Sequence, residues 1–311
     1  MRKFYSVFVM LVMMSGLHAQ SVLYSNSFES GTGDATIVGN GQVVSGTGAG
    51  FESVFHNAAG GQGIRTNYLL LPNNVFTNLQ TAATRQLSIA FWVKKGAAVD
   101  YYWTPIFSAY AAAPPSTGNL WPMMVLQSRL VGQVNCGGWT DLVNADNVSG
   151  TNKESTAWLD DDQWHYYTAT FTDTKVRIYV DGVIQNEWNT EKDVTGKSVS
   201  GLFDSGSQLA YICLGGNQAW NWADPDPAYM FDDLAIYSSE LTVEQISTNI
   251  AAKTTTGLAL ISSNQPVKVQ YFQLNGALAQ DDYDALKEGM YIRKSWFADG
   301  SSESTKIMKT R

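Results

Sequence analysis

Charge, sulfur and histidine are all scarce in this chain. Only 15% of its 311 residues are charged, and there are two cysteines and three histidines. One histidine, His18, lies in the leader-like first twenty residues, which leaves His56 and His165 for any imidazole chemistry. No Gly-x-Ser-x-Gly elbow, His-Glu-x-x-His helix, nucleotide-binding glycine loop or Cys/His metal cluster occurs, so the common routes to catalysis have no sequence footing. Lysine and arginine number 20 against 28 acidic residues, a formal charge of −8. Loss of Arg2 and Lys3 with a leader takes it to −10. Acidic balance argues against nucleic acid as a partner, because neutralisation of the phosphate backbone by Lys and Arg supplies most of that affinity. After the first twenty residues no stretch is apolar enough to cross a bilayer.

Those first residues carry Arg2 and Lys3, an apolar run from about Phe4 to Met14, then Gly16 and Ala19. The pattern is that of a secretory signal peptide over 1–19, too short to span a membrane. No cysteine follows the cleavage point, so a lipid anchor there has no attachment site. In an exported chain Cys136 and Cys213 are permitted a disulfide; one bridge and two separate buried thiols both remain open.

The abundant features are apolar residues, at 44%, and 27 glycines, a composition suited to many short strands joined by tight turns. From Gln163 to Trp188 alternate positions are apolar. Tyr167, Ala169 and Phe171 share one side of a strand, Val176, Ile178 and Val180 one side of the next, and Arg177 and Tyr179 face away. Thr172-Asp173-Thr174 and Asp181-Gly182 make the reversals, the latter tolerating positive φ. Leu87, Ile89, Phe91 and Val93 repeat the period of two with Trp92 opposite. Further strands are expected at Val22–Phe28, Gln42–Val44, Tyr68–Leu71, Ile106-Phe107, Pro122–Leu126, Leu130–Val134, Leu209–Leu214 and Met230–Tyr237. Thr242 and Gln245 form a capping box, which predicts a helix of about ten residues that buries Ile246 and Ile250 and ends near Lys253. Fold class is therefore all-β: a two-sheet antiparallel sandwich over 20–254 and a small β tail over 255–311.

A Trp164-His165 strand opening, an alternating strand, a turn and a Tyr-Val-Asp-Gly strand end, followed later by FDDLAIYSSELTVEQI from Phe231, resemble the laminin-G-like and pentraxin-like branch of the concanavalin A-like lectin/glucanase jelly rolls. The tail, with Phe-x-Leu-Asn-Gly, Gly-Met-Tyr-Ile and seven basic against six acidic residues from Pro266, resembles the C-terminal sorting domains of the type IX secretion route, although it lacks the usual Pro-Asn-Pro opening. That second resemblance implies a secreted or surface protein of a Gram-negative bacterium and a tail read by a receptor; a plain accessory β module is the alternative.

The first resemblance carries further expectations. Glucanases of this superfamily resemble one another in a Glu-x-Asp-x-x-Glu strand with carboxylates about 5 Å apart; no such run is present, so no enzyme activity is expected. The resemblance implies a structural calcium tying opening to closing strand through Glu29 and Asp232, since this cation takes six to eight oxygens. Strict alternation puts Asp232 on the side of Leu234 and Ile236, pointing inward, where an uncompensated charge is costly. Glycan binding is the leading function, because sugars stack on aromatic rings and bond to Asp, Asn and Gln. Trp220 and Trp222, with Gln218 and Asp224, fit best; Trp139, Tyr101 and Trp103 are second choices. A protein-binding adhesion module is the alternative, and glycoside hydrolysis a weaker one. Oligomeric state is not encoded in any of these features.

Overall fold

A computed structural model describes residues 21–46, 48, 50–58, 67–77, 79, 84–95, 104–111, 122–128, 132–136, 139–141, 159, 161–192, 194–204, 209–216, 228–263, 268–280, 283, 285–296 and 302–309. The anticipated signal peptide lies outside them. In chain order the strands are β1 (Val22–Asn26), β2 (Thr36–Val38), β3 (Gln42–Ser45), β4 (Ser53–His56), β5 (Tyr68–Leu70), β6 (Gln86–Lys94), β7 (Pro105–Tyr110), β8 (Met123–Gln127), β9 (Gly132–Asn135), β10 (Trp139–Asp141), β11 (His165–Thr172), β12 (Lys175–Val180), β13 (Val183–Asn189), β14 (Tyr211–Gly215) and β15 (Met230–Tyr237). Helix α1 (Val243–Ser263) follows, then β16 (Lys268–Phe272), β17 (Leu278–Gln280), β18 (Gly289–Trp296) and β19 (Ser302–Lys309).

Two antiparallel sheets make a sandwich, as the alternation predicts. One has the order β13-β12-β11-β6-β15-β4-β3, with β1 also pairing β15; the other runs β10-β9-β8-β7-β14-β5-β2. Between them lie Leu87, Ile89, Phe91 and Val93 of β6, Tyr167, Ala169 and Phe171 of β11, and Val176, Ile178 and Val180 of β12. Across from these stand Phe107, Ala109, Met124, Leu126, Ile212 and Leu214 of the second sheet. Each large side chain buried in this way contributes about 1.5–3 kcal/mol. The turn at Asp181 and Gly182 has φ of 52° and 77°, the positive pair that a two-residue hairpin requires. Cys136 and Cys213 are both free thiols, and burial pushes the Cys136 thiol up to about 12.

The outer face of the eight-stranded sheet departs from the usual wetted surface. Ala90, Trp92, Tyr166, Tyr179, Ala235 and Tyr237 form a second apolar cluster there with Phe51, Leu241 and Ile246, and Ile250 packs against it. Phe51 stacks on Trp164 at 4.2 Å and meets Trp92 edge-on at 5.3 Å. Helix α1 covers this layer. Its capping box is made in both directions, Thr242 N–H donating to Gln245 Oε1 at 2.9 Å and Gln245 N–H to Thr242 Oγ1 at 3.3 Å. The helix is 21 residues long and does not stop near Lys253. The threonines and glycine at 254–257 each cost under about 1 kcal/mol in a helix, and the leucines and alanine after them favour its continuation.

Strict alternation fails in β15. A register shift between Asp232 and Ala235, with Asp233 at a φ of 44°, turns Asp232 to the outer face beside Trp92 while Leu234 and Ile236 stay inside. A bulge inserts one residue and so reverses the side on which its predecessors lie. Asp232 is fully buried nonetheless. Its Oδ1 accepts the Asp233 N–H at 2.8 Å and its Oδ2 accepts Lys253 Nζ at 2.6 Å. The same ammonium reaches Asp233 Oδ2 at 3.0 Å and lies over the Phe51 ring at 4.9 Å. Burial pushes the Asp232 carboxyl up to about 7 against the pull of Lys253. Desolvation works against the Lys253 ammonium, but the two aspartates outweigh it and raise its pKa. The 2.6 Å contact is that of a charged pair.

Other scarce charges pin reversals or tie neighbouring strands. His165 Nδ1 is 2.7 Å from Asp181 Oδ2 and its Nε2 is 2.9 Å from Asp161 Oδ1, while Asp181 Oδ1 accepts the Tyr166 N–H at 2.8 Å. Arg85 joins Asp173, Asp204 and the Ser200 carbonyl; Arg177 joins Glu187 and Glu240. The tail forms its own antiparallel sheet, β17-β16-β18-β19.

Two outcomes follow from these pairs. Lys253→Met should destabilise the protein by about 3 kcal/mol in urea melts above neutral pH, because it strands a buried carboxylate. The loss should shrink in acid, where that carboxyl is protonated, and Asp232→Asn in the same chain should restore most of it. For His165, the hydrogen bond to Asp181 comes first among the influences that raise its pKa above 6.5. Its stabilisation is therefore complete below 6.5 and lost as pH climbs through the raised value. Unfolding free energy should fall across that interval, and His165→Gln should flatten the fall; both carboxylates are half in water, so the change is on the order of 1 kcal/mol.

Candidate functional site

One end of the sandwich is built from strand termini that all converge there. In the first sheet Lys94, the end of β6, stands opposite Met230, the start of β15, and Met230 opposite His56, the end of β4. In the second, Pro105 at the start of β7 stands opposite Gln127 at the end of β8, and Leu214 of β14 opposite Phe107. The stretch 96–103 leaves from β6 and returns at β7; the stretch 217–227 leaves from β14 and returns at β15. Since β6 neighbours β15 and β7 neighbours β14, the anchor points of the two stretches are adjacent in both sheets.

The base of this rim is polar and buried. Asn57, Asn67, Thr104, Ser108, Gln127 and Ser128 are all nearly or fully out of water. Asn57 N–H donates to the Tyr229 carbonyl at 2.9 Å and Asn57 Nδ2 to the Asn67 carbonyl at 3.1 Å. Asn67 Oδ1 accepts the Asn40 N–H at 2.9 Å. Ser128 N–H donates to the Thr104 carbonyl at 2.9 Å, and Ser108 Oγ to the Gly216 carbonyl at 3.2 Å. Gly215, at a φ of 85°, leaves room for Asn57: a Cβ there would stand 2.8 Å from its Nδ2. Such interlocked amides and hydroxyls hold the loop anchors in one arrangement, because breaking any of them strands a buried polar group.

The favoured ligand residues Gln218, Trp220, Trp222 and Asp224, and the second choices Tyr101 and Trp103, fall on those two stretches and lie outside the described residues. Trp139 opens β10 opposite Asn135, which is paired with Met123; it belongs to the opposite end of the same sheet. The register thus groups two of the three aromatic stretches and separates the third.

Glu29 and Asp232, the pair expected to share a calcium, do not fit that role. Glu29 is exposed on the turn after β1, whereas both oxygens of Asp232 are engaged by Lys253 and the Asp233 amide. An ammonium from the helix supplies the compensating charge that the resemblance assigns to a metal. Among the described residues, no three of His, Cys, Asp and Glu come together as a metal-holding group.

A feature that the sequence reading missed lies on the helix-covered face. A cleft of about 470 Å³ opens between the turn after β1 and helix α1, floored by Trp92 and Tyr166 and bordered by Asp34, Asp233, Tyr237 and Asn249. Asn249 Nδ2 donates to the hydroxyls of Tyr166 at 3.2 Å and Tyr237 at 3.4 Å. Burial raises the pKa of both phenols, so both remain protonated donors. Alternation could not have found this site, because it depends on the bulge at Asp232–Asp233 and on where the helix comes down.

Among solved structures, the fourth domain of an extracellular arabinanase of Geobacillus stearothermophilus, in complex with arabinotriose, is 17% identical, with a TM-score of 0.48, over 74% of this chain and 98% of that one. A Trypanosoma rangeli sialidase mutant displaying trans-sialidase activity is 15% identical, TM-score 0.43, over 72% of this chain and 30% of that one; the chain spans about a third of that enzyme's length. The binding domain of botulinum neurotoxin DC, in complex with SialylT, is 15% identical, TM-score 0.43, over 87% of this chain and 68% of that one. No curated protein matches in sequence. A family model described as the concanavalin A-like lectin/glucanases superfamily matches residues 61–247, the span that holds both loop anchors, the central hairpin and the closing strand. The chain belongs to that superfamily.

Proposed function

We propose that this chain is an extracellular recognition module that binds carbohydrate without hydrolysing it, through Trp220, Trp222, Gln218 and Asp224 with Tyr101 and Trp103 beside them. The observation that carries this reading is the adjacency of the two anchor pairs in both sheets, on one buried polar base. Aromatic rings on neighbouring rigid supports offer a sugar the flat apolar surfaces it stacks on, and the carboxylate and amide beside them offer partners for its hydroxyls. Support for a non-catalytic role comes from how the described carboxylates are used. Asp161 and Asp181 hold His165, Asp173 and Asp204 hold Arg85, Glu187 and Glu240 hold Arg177, and Asp232 and Asp233 hold Lys253. Acid–base hydrolysis needs a pair of carboxyl groups facing one glycosidic bond, and each of these eight already holds a cation.

The leader-like first residues and the tail extend the proposal. The chain is exported, and the β16–β19 sheet is the receptor-read address of the type IX route, in keeping with its sequence pattern.

On a glycan array the mature chain should bind at least one glycan class, and Trp220→Ala or Trp222→Ala should weaken that binding at least about tenfold, the loss of one to two stacking contacts. Far-ultraviolet circular dichroism should stay unchanged. An array without signal, together with tight capture of a purified surface protein through the same loops, would replace this reading by protein adhesion. Release of reducing sugar, abolished by replacing one carboxylate, would replace it by hydrolysis.

A further inference from the structure

The cleft on the outer face of the eight-stranded sheet is not part of the loop rim, and its chemistry is that of a binding site. Its floor is aromatic, with Trp92, Tyr166 and Tyr237 keeping 5%, 3% and 7% of their surface exposed. One amide, Asn249 Nδ2, donates to both phenolic oxygens. The two phenolic protons therefore remain to be given, and among the described residues neither has an acceptor. Acceptors stand at the border: Asp34 is exposed, and the Asp233 carboxylate is about a third exposed and partly neutralised by Lys253 at 3.0 Å. Asp233, at the border, holds a backbone conformation that side chains disfavour, with a φ of 44°. Strain of this kind persists only where surrounding structure holds it.

We infer that this cleft is a second carbohydrate site, taking one or two neutral sugar rings, separate from the loop rim. The inference rests on the carbohydrate reading of the chain but not on the rim residues. The volume of about 470 Å³ lies in the usual range for small-molecule sites, about 300–1,000 Å³. Vicinal hydroxyls donate to Asp34 and Asp233 and accept from Tyr166 and Tyr237, while a ring face covers the aromatic floor. A strongly cationic ligand fits less well, since Lys253 already offsets the Asp233 charge. An anionic one meets two carboxylates at the mouth. Two sites on one module make binding to a polysaccharide bivalent, which raises avidity without any new contact.

The test is an NMR titration of the full mature chain with maltose, cellobiose and lactose, following the Asn249 side-chain amide and the Trp92 indole N–H. At least one sugar should shift both signals saturably. The shifts should persist in Trp220→Ala/Trp222→Ala, and Ala252→Trp, which fills the cleft from the exposed helix side, should weaken the affinity at least about tenfold. Asn249→Leu should do the same if it folds; Ala252→Trp keeps the test decisive if it does not. Signals unmoved by all three sugars, or shifts unaffected by Ala252→Trp, would overturn the inference. Array binding that ignores the rim variants while the cleft titrates would sink the rim reading alone, and array binding with a silent cleft would sink this one alone.

Discussion

A β-sheet whose two faces are both apolar must be covered twice, and the organisation of this protein follows from that constraint. The eight-stranded sheet buries Leu87, Ile89, Phe91 and Val93 against the second sheet, and on its reverse side it carries Trp92, Tyr166 and Tyr237. The second layer cannot face water at this cost, so helix α1 lies over it. The helix is positioned by Ile246 and Ile250, by Asn249 on two tyrosine hydroxyls, and by the Lys253 ammonium at the Asp232–Asp233 bulge. Coverage is incomplete toward the turn after β1, and the gap that remains is the polar-edged cleft.

Because charge is scarce, each ion pair has a specific place. Three of them sit where the chain reverses or changes layer: His165 at the Asp181-Gly182 turn, Arg85 between the reversal at Asp173 and the Ser200–Phe203 turn, Lys253 between helix and bulge; Lys175 and Arg177 instead tie β12 to Glu187 of β13. Buried or half-buried, they restrict geometry more than they add stability, since much of their attraction offsets desolvation. The same economy accounts for the rim, where neutral amides and hydroxyls rather than charges secure the strand ends. A rim so built fixes the strand ends from which the two stretches leave.

Much of the sandwich was legible in residue order. Alternation at Leu87–Val93 and Tyr167–Phe171 reports the strands and their inner face directly, Asp181-Gly182 reports the turn, and Thr242 with Gln245 reports a helix start, because each depends on neighbours within four residues; that the other face of these strands is buried as well depends on the helix above it. The side taken by Asp232 was not legible. One inserted residue in β15 reverses it, and a bulge leaves no signature in a run as short as FDDLA. The length of helix α1 was misread for a similar reason, since Thr254–Gly257 resembles a stop only when the helix is treated in isolation.

Residue order by itself determined an all-β fold class, the central hairpin and its turns, together with the superfamily resemblance that the match over 61–247 bears out, because period-two patterning and turn chemistry act locally. Tertiary structure alone decided that an ammonium compensates Asp232, that the anchors of the two aromatic stretches are neighbours while Trp139 is apart from them, and that a cleft exists beneath the helix. These depend on contacts between residues far apart in the chain, whose energies come from burial and charge pairing across layers that no local pattern records.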